Sequence, residues 1–109
     1  MATFIVNDLI DPHEFKRQYP KTNVIQDMYK QNVEVGHYVK LRRNGAYFWV
    51  HVKEKNGTTI TAEVYHKPGC NPKFTVGDRI VFEICYAFDI YDAQIFNLIP
   101  RIDQVNSEQ

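Results

Sequence analysis

The sequence predicts a small α+β domain, mainly β: an antiparallel SH3-like barrel of four to five strands, or an OB-like one, with two short N-terminal helices. Three observations predict it. Apolar and polar residues alternate with period two from Tyr38 to Tyr65, as strands with one buried face do. Asn44-Gly45 and Asn56-Gly57 interrupt the alternation as hairpin turns would. Helical signals are few: two short segments before the alternation starts, and one turn or bend at Asp89–Asp92. A chain of 109 residues is one domain with one modest core. It divides into an N-terminal arm with short helices (1–33), a barrel core (34–99) and a polar tail (100–109).

Thr3 to Val6 is a short edge strand or a loosely packed arm. Asp11-Pro12-His13-Glu14 starts a helix: Asp11 is the N-cap, Pro12 takes the first helical position and Glu14 completes an acidic capping box. Pro20 ends that helix near Tyr19, and Phe15 and Tyr19 give it an apolar edge. Val24, Ile25, Met28 and Tyr29 recur at helical spacing and predict a second helix over 23–31, its stripe facing the core. The two helices form a lid for one end or one face of the sheet.

In the first strand of the meander Val39 and Leu41 share the inner face, and Tyr38, Lys40 and Arg42 the outer. Phe48, Val50 and Val52 alternate with Tyr47, Trp49, His51 and Lys53 in the second. Ile60, Ala62 and Val64 alternate with Thr59, Thr61, Glu63 and Tyr65 in the third. Asn44-Gly45 fits a two-residue type I′ turn that pairs Arg43 with Ala46, Leu41 with Phe48 and Val39 with Val50. A two-residue loop on Asn56-Gly57 would set inner residues against outer ones. A three-residue loop, Lys55 to Gly57, is therefore expected, with Gly57 left-handed in a G1 bulge, Val52 opposite Ile60 and Val50 opposite Ala62. Lys67 to Lys73 reads as a loop from its Pro-Gly and Asn-Pro pairs. Gly77-Asp78 turns the chain into a strand over Arg79–Tyr86 with Ile80, Phe82 and Ile84 inward. Asp89 to Asp92 reads as a helical turn or bend, and Gln94 to Ile99 as a fifth strand.

Thirteen basic and thirteen acidic residues give zero net charge, so no global field draws the chain to nucleic acid or an anionic membrane. No apolar run approaches the ~18 residues of a transmembrane helix, and the N-terminus lacks the pattern of a signal peptide. Two cysteines, Cys70 and Cys85, make no disulfide framework. An intracellular, cytoplasmic protein with free thiols is the expectation, and the Asn56-Gly57-Thr58 sequon is then a chance match.

The outer face carries the one surface feature that suggests a function. Its register sets Arg42 beside Tyr47, Lys40 beside Trp49 and Tyr38 beside His51, with Lys53 at the far end. Cations beside rings make cation–π pairs worth roughly 0.5–1 kcal/mol each when exposed. The same array can serve as a stacking platform, an aromatic cage or a peptide groove. The competing reading is that other parts of the chain cover it. Tyr38, Lys40, Arg42, Tyr47, Trp49, His51 and Lys53 are the candidate binding residues.

Val35-Gly36-His37-Tyr38-Val39-Lys40, the run Gly45 to Val52 (GAYFWVHV), Gly57 to Val64, and Val76-Gly77-Asp78-Arg79-Ile80-Val81-Phe82-Glu83 fall in the order of a known pattern. Over residues 34–92 the chain resembles the YegJ-like small proteins, a bacterial domain of unknown function with relatives in large DNA viruses. His37 stands where that pattern has Asp. The resemblance implies a small α+β or barrel domain, and a virion or host-cell setting if the chain is viral. It brings no catalytic residues.

Chemistry is sparse. His66 and Cys70 have an H-x₃-C spacing, but no C-x₂-C accompanies it, and zinc needs three or four converging ligands; no metal and no cofactor are expected. The single serine, Ser107, lies in the tail, and neither cysteine sits in a nucleophile elbow. Asp78 fits its own turn, Asp89 and Asp92 cap a bend, and no glycine-rich phosphate loop is present. The expectation is a non-enzymatic module that binds a protein partner through the outer face. Single-stranded nucleic-acid binding by the same face, with Arg43 as a further phosphate contact, is the alternative. A small enzyme of unknown type is the third reading.

Overall fold

The computed structural model describes residues 3–66 and 74–92. Its strands are β1 (Thr3–Ile5), β2 (Tyr38–Arg43), β3 (Ala46–Asn56), β4 (Thr59–His66), β5 (Arg79–Glu83) and β6 (Asp89–Tyr91); its helices are α1 (Pro12–Gln18) and α2 (Asp27–Lys30). The strands form one sheet in the order β1-β5-β4-β3-β2-β6. The class is the expected one, mainly β with two short helices. Two features of the expected barrel are corrected. The sheet is mixed, because β1 runs parallel to β5. Among the described residues it has six strands and does not close, with β1 and β6 as its two edges. The arm crosses between the sides instead: the Val6 N–H donates to Val81 O and the Ile10 N–H to Arg42 O, each at 2.9 Å.

The first hairpin has the expected register from Arg43 opposite Ala46 to Tyr38 opposite His51, and Asn44 and Gly45 both take positive φ, 53° and 80°. The second hairpin differs. Its loop is Gly57-Thr58, with Asn56 opposite Thr59, so Val52 faces Ala62 and Val50 faces Val64. The expected left-handed Gly57 is present, at φ 65°. Like the two-residue loop on Asn56-Gly57 that the sequence disfavours, this loop alone would set inner against outer residues, with Val52 opposite Glu63. A bulge at Lys53, between Val52 and Glu54, restores the match, and a second between Trp49 and Val50 displaces the pairing again.

Helix α1 forms as expected, with the Asp11 carboxylate accepting from the N–H groups of His13 (2.8 Å) and Glu14 (3.4 Å). Glu14 does not complete a capping box; its carboxylate pairs with Arg17. The second helix is far shorter than expected. The Ile25 N–H donates to Phe88 O, which holds residues before Asp27 extended, so helix begins only there. Its stripe is not core: Met28 and Tyr29 are exposed, at 61% and 52%, while Lys30 is 5% exposed.

Strand β5 stops at Glu83, and a 3₁₀ turn, Ile84–Tyr86, replaces the rest of the expected strand. Ile80, Phe82 and Ile84 are buried as expected, and the Asp78 carboxylate accepts from the Thr75 N–H at 2.9 Å within its turn. Residues 89–91, expected as a bend, pair antiparallel with β2, because the Phe88 N–H donates to Lys40 O and docks the chain on that edge. The expected loop over Lys67–Lys73, the strand over Gln94–Ile99 and the polar tail lie outside the described residues. The core lies on one face of the sheet: Val39, Leu41, Phe48, Val50, Val52, Ile60, Ala62, Val64, Ile80 and Phe82 from the strands, with Val6, Leu9, Val33 and Phe74 packed against them. Among the described residues no helix is long and apolar enough to cross a membrane.

Candidate functional site

All seven residues expected on the outer face of β2 and β3 are there, and all are half-buried. The face is divided into two parts. At one end the Arg42 guanidinium lies 4.6 Å from the ring centres of both Phe15 and Tyr47, and Tyr47 meets Phe88 edge-on at 5.3 Å. Helix α1 and the chain entering β6 therefore cover the Arg42–Tyr47 end. Of the two helices expected as a lid, α1 covers this end through Phe15, whereas α2 packs against the 3₁₀ turn. Arg43 does not belong to the face. It has the inward parity of β2, and its side chain, 12% exposed, donates to both Asp8 carboxylate oxygens, at 2.9 and 2.7 Å.

The other end keeps ring surface in solvent. Tyr38 stacks on His51 at 4.6 Å with the planes 20° apart, and meets Tyr65 edge-on at 4.9 Å. Trp49 stacks on Tyr91 at 5.1 Å and 29°. The Lys40 ammonium lies 5.9 Å from the Trp49 ring centre, as expected, and also 4.8 Å from that of Tyr47; with Arg42 beside Tyr47, both expected cation–ring pairings occur. Lys53 is 3.6 Å from Glu63. Partial burial, helped by the neighbouring Lys53, holds the His51 imidazole below its ordinary pKa. Burial, with Tyr65 alongside, raises the Tyr38 phenol. Tyr91 is raised for the same first reason, with Asp89 adding to it.

A second region was not anticipated. A cleft of about 380 Å³ opens between α2, the 3₁₀ turn and the tip of the β3–β4 hairpin. The His13 Nε2 lies 2.9 and 3.2 Å from the two Asp27 oxygens. The Lys30 ammonium is 3.1 Å from the same carboxylate and donates to Cys85 O at 3.0 Å. Lys30 first and His13 second lower the pKa of Asp27. The carboxylate is therefore ionised and accepts only, which puts a proton on His13 Nε2. Lys55 reaches the cleft because of the bulge at Lys53. Without the extra residue, 55 would continue the outward series of 49, 51 and 53; with it, Lys55 stands opposite inward-facing Ile60, and its ammonium donates to Gln31 O at 3.1 Å. Partial burial pushes the thiol of exposed Cys85 upward.

No sequence pattern marks this cleft. His13 and Asp27 are far apart in the chain, and a lysine in a polar helical stretch is normally solvated. The burial of Lys30 follows from the break at Ile25, which the residue types do not reveal. Among the described residues no group of three or more His, Cys, Asp or Glu is placed to hold a metal ion. Cys70 and the His66 side chain lie outside the described residues.

Set against known proteins, the chain matches no family model, no curated protein and no solved structure.

Proposed function

We propose that this protein is a non-enzymatic interaction module that holds a protein partner on the open end of its outer sheet face, around Tyr38, Trp49, His51 and Lys53. The partner segment that fits brings acidic and apolar side chains together. One observation carries the reading: the rings of Tyr38, His51, Trp49 and Tyr91 stack in pairs and brace one another, yet all four stay half-exposed beside Lys40. Pre-packed rings offer large contact area with little side-chain entropy left to lose. Lys40 is held against two of the rings, which favours an acidic partner. The consecutive β2–β5 meander supports an SH3-like reading of the core by analogy of fold alone. The motif order over residues 34–92 supports kinship with the YegJ-like proteins in the same sense.

Trp49 is the single tryptophan, so its fluorescence reports on the site. Titration with short peptides rich in Asp, Glu and aromatic residues should shift and saturate its emission, against unshifted neutral polar peptides. Affinity should fall only a few-fold between about 50 and 500 mM salt, because few ion pairs form. Trp49→Ala should abolish binding, followed by calorimetry, while unfolding free energy falls by no more than about 1–2 kcal/mol for a half-exposed ring. Oligothymidylate binding that collapses over the same salt range would transfer the face to single-stranded nucleic acid. A loss of several kcal/mol in stability would make Trp49 a core residue and remove the docking surface.

A further inference from the structure

We propose that the cleft between α2 and the hairpin tip is a binding site for a small organic anion: a carboxylate or phosphate monoester carried on an apolar body. The site is separate from the outer face and independent of its function.

The argument starts from Lys30. Its side chain is 6% exposed, and a buried ammonium is costly unless its three donors are satisfied. The Cys85 carbonyl takes one, and Asp27 supplies the opposing charge. No third acceptor for Lys30 is present among the described residues, and Lys30 lines the cleft. Asp27 divides its one negative charge between Lys30 and the His13 Nε2–H. Lys55 adds a second cation to the lining with only a backbone carbonyl as partner. Two ammonium groups thus face one carboxylate already shared with an imidazole. Asp11 and Glu83 stand close enough to act on the Cys85 thiol, but neither lines the cleft. Glu83 is occupied by the Thr58 and Thr59 hydroxyls, at 2.7 Å each.

The rest of the lining suits a small molecule with an apolar part. Ile84 supplies hydrocarbon surface beside the charged groups. Gly57 leaves space at the hairpin tip, since a Cβ there would meet nothing within 4 Å. The volume of about 380 Å³ lies within the usual range of small-ligand sites and is too small for a folded partner. The bulge at Lys53 turns Lys55 inward, and the short α2 buries Lys30. Two departures from regular structure thereby aim two cations at one cavity.

The test is an amide NMR titration of the full-length protein with benzoate and with phenyl phosphate, using benzyl alcohol as the uncharged control. Binding at the site predicts saturable shifts at Lys30, Thr58 and Cys85 with an anion, and none at Trp49. The control should bind about tenfold more weakly or worse. Lys55→Glu alters an exposed side chain, leaves the fold intact and should weaken the anion about tenfold or more. Lys30→Met should abolish the response; should that variant unfold, Lys55→Glu decides alone. Saturation by phenyl phosphate only, or by benzoate only, supports the site and names its anion. Equal affinity for benzyl alcohol, an unaffected Lys55→Glu, or shifts without saturation would overturn the proposal. Because Trp49 is remote from these readouts, failure here leaves the outer-face reading untouched.

Discussion

Arg43 and His51 stand on opposite faces of the sheet, and each is set by its immediate neighbours. Arg43 is nearly buried, its guanidinium 5.1 Å from the Phe74 ring centre and bonded twice to Asp8. That pair raises the pKa of Arg43, the Asp8 bond outweighing burial. Arg43→Met keeps the aliphatic stem over Phe74 but removes a charge-assisted fork, and should lower the unfolding free energy by about 1.5–3 kcal/mol in urea titrations. Arg43→Lys should recover only part of it, because an ammonium cannot reproduce the planar fork. His51 makes stability depend on mild acid. Its folded pKa lies below the ordinary value because partial burial disfavours the imidazolium. The unfolded chain therefore binds the proton more readily, and the His51 contribution is complete above about pH 6.5 and lost as pH falls through the folded value. Asp27 and Glu83 are also depressed, Asp27 first by Lys30 and Glu83 first by Thr59. Their contributions are present above the ordinary carboxylate value and disappear only at lower pH, near and below about 4. An NMR titration of His51 should give a midpoint below 6.5, and His51→Phe should flatten the stability slope between about pH 6.5 and 5 without changing the steeper acid limb.

The two hairpins show what a turn decides and what a strand must then correct. Both loops use left-handed residues, Asn44 and Gly45 in one and Gly57 in the other. A Cβ added at Gly57 meets open space, so only its φ of 65° opposes substitution. Gly57→Ala should therefore cost about 1–2 kcal/mol in thermal or urea unfolding, while Gly57→Asn, which tolerates that conformation, should cost clearly less. The inner and outer faces of β2, β3 and β4, the first hairpin register and the Asp11 cap are all legible in the sequence, because alternation and capping depend on residue type. The bulges are not. An extra residue on one strand leaves the composition unchanged, so parity forbids a simple loop without showing where the correction falls. The extent of α2 is hidden for a related reason: Val24, Ile25, Met28 and Tyr29 have helical spacing, but a long-range bond from Ile25 to Phe88 breaks the helix. On the outer face, sequence placed the rings and cations correctly and left open whether other parts of the chain cover them; Phe15 and Phe88 close one end. The cleft was hidden entirely, since it depends on a buried lysine and on the inverted parity of Lys55.

At the scale of the molecule, the arm is what covers the edge of an unclosed sheet. Thr3 pairs with Arg79 and Ile5 with Val81, in the only parallel contact among the described strands. Phe4 packs on Phe74 at 5.4 Å, and Val6 is 7% exposed within the core. Deleting residues 1–6 would bare the β5 edge and part of the core behind it. The loss in unfolding free energy should be about 3–5 kcal/mol, the sum expected for a buried valine and a partly buried phenylalanine. The kinetics should show where in folding that contact forms. The β2–β5 meander joins neighbours in sequence, whereas β1 can dock only on a β5 that is already in place, across the whole length of the intervening chain. Closing so long a loop before the meander exists carries an entropic cost that nothing yet offsets. The arm should therefore be absent from the folding transition state. Stopped-flow refolding of the truncated protein should match the full chain within about twofold, and its unfolding should accelerate by the whole of the stability loss. Slowed refolding with unchanged unfolding would place the arm in the nucleus and reverse this order of events.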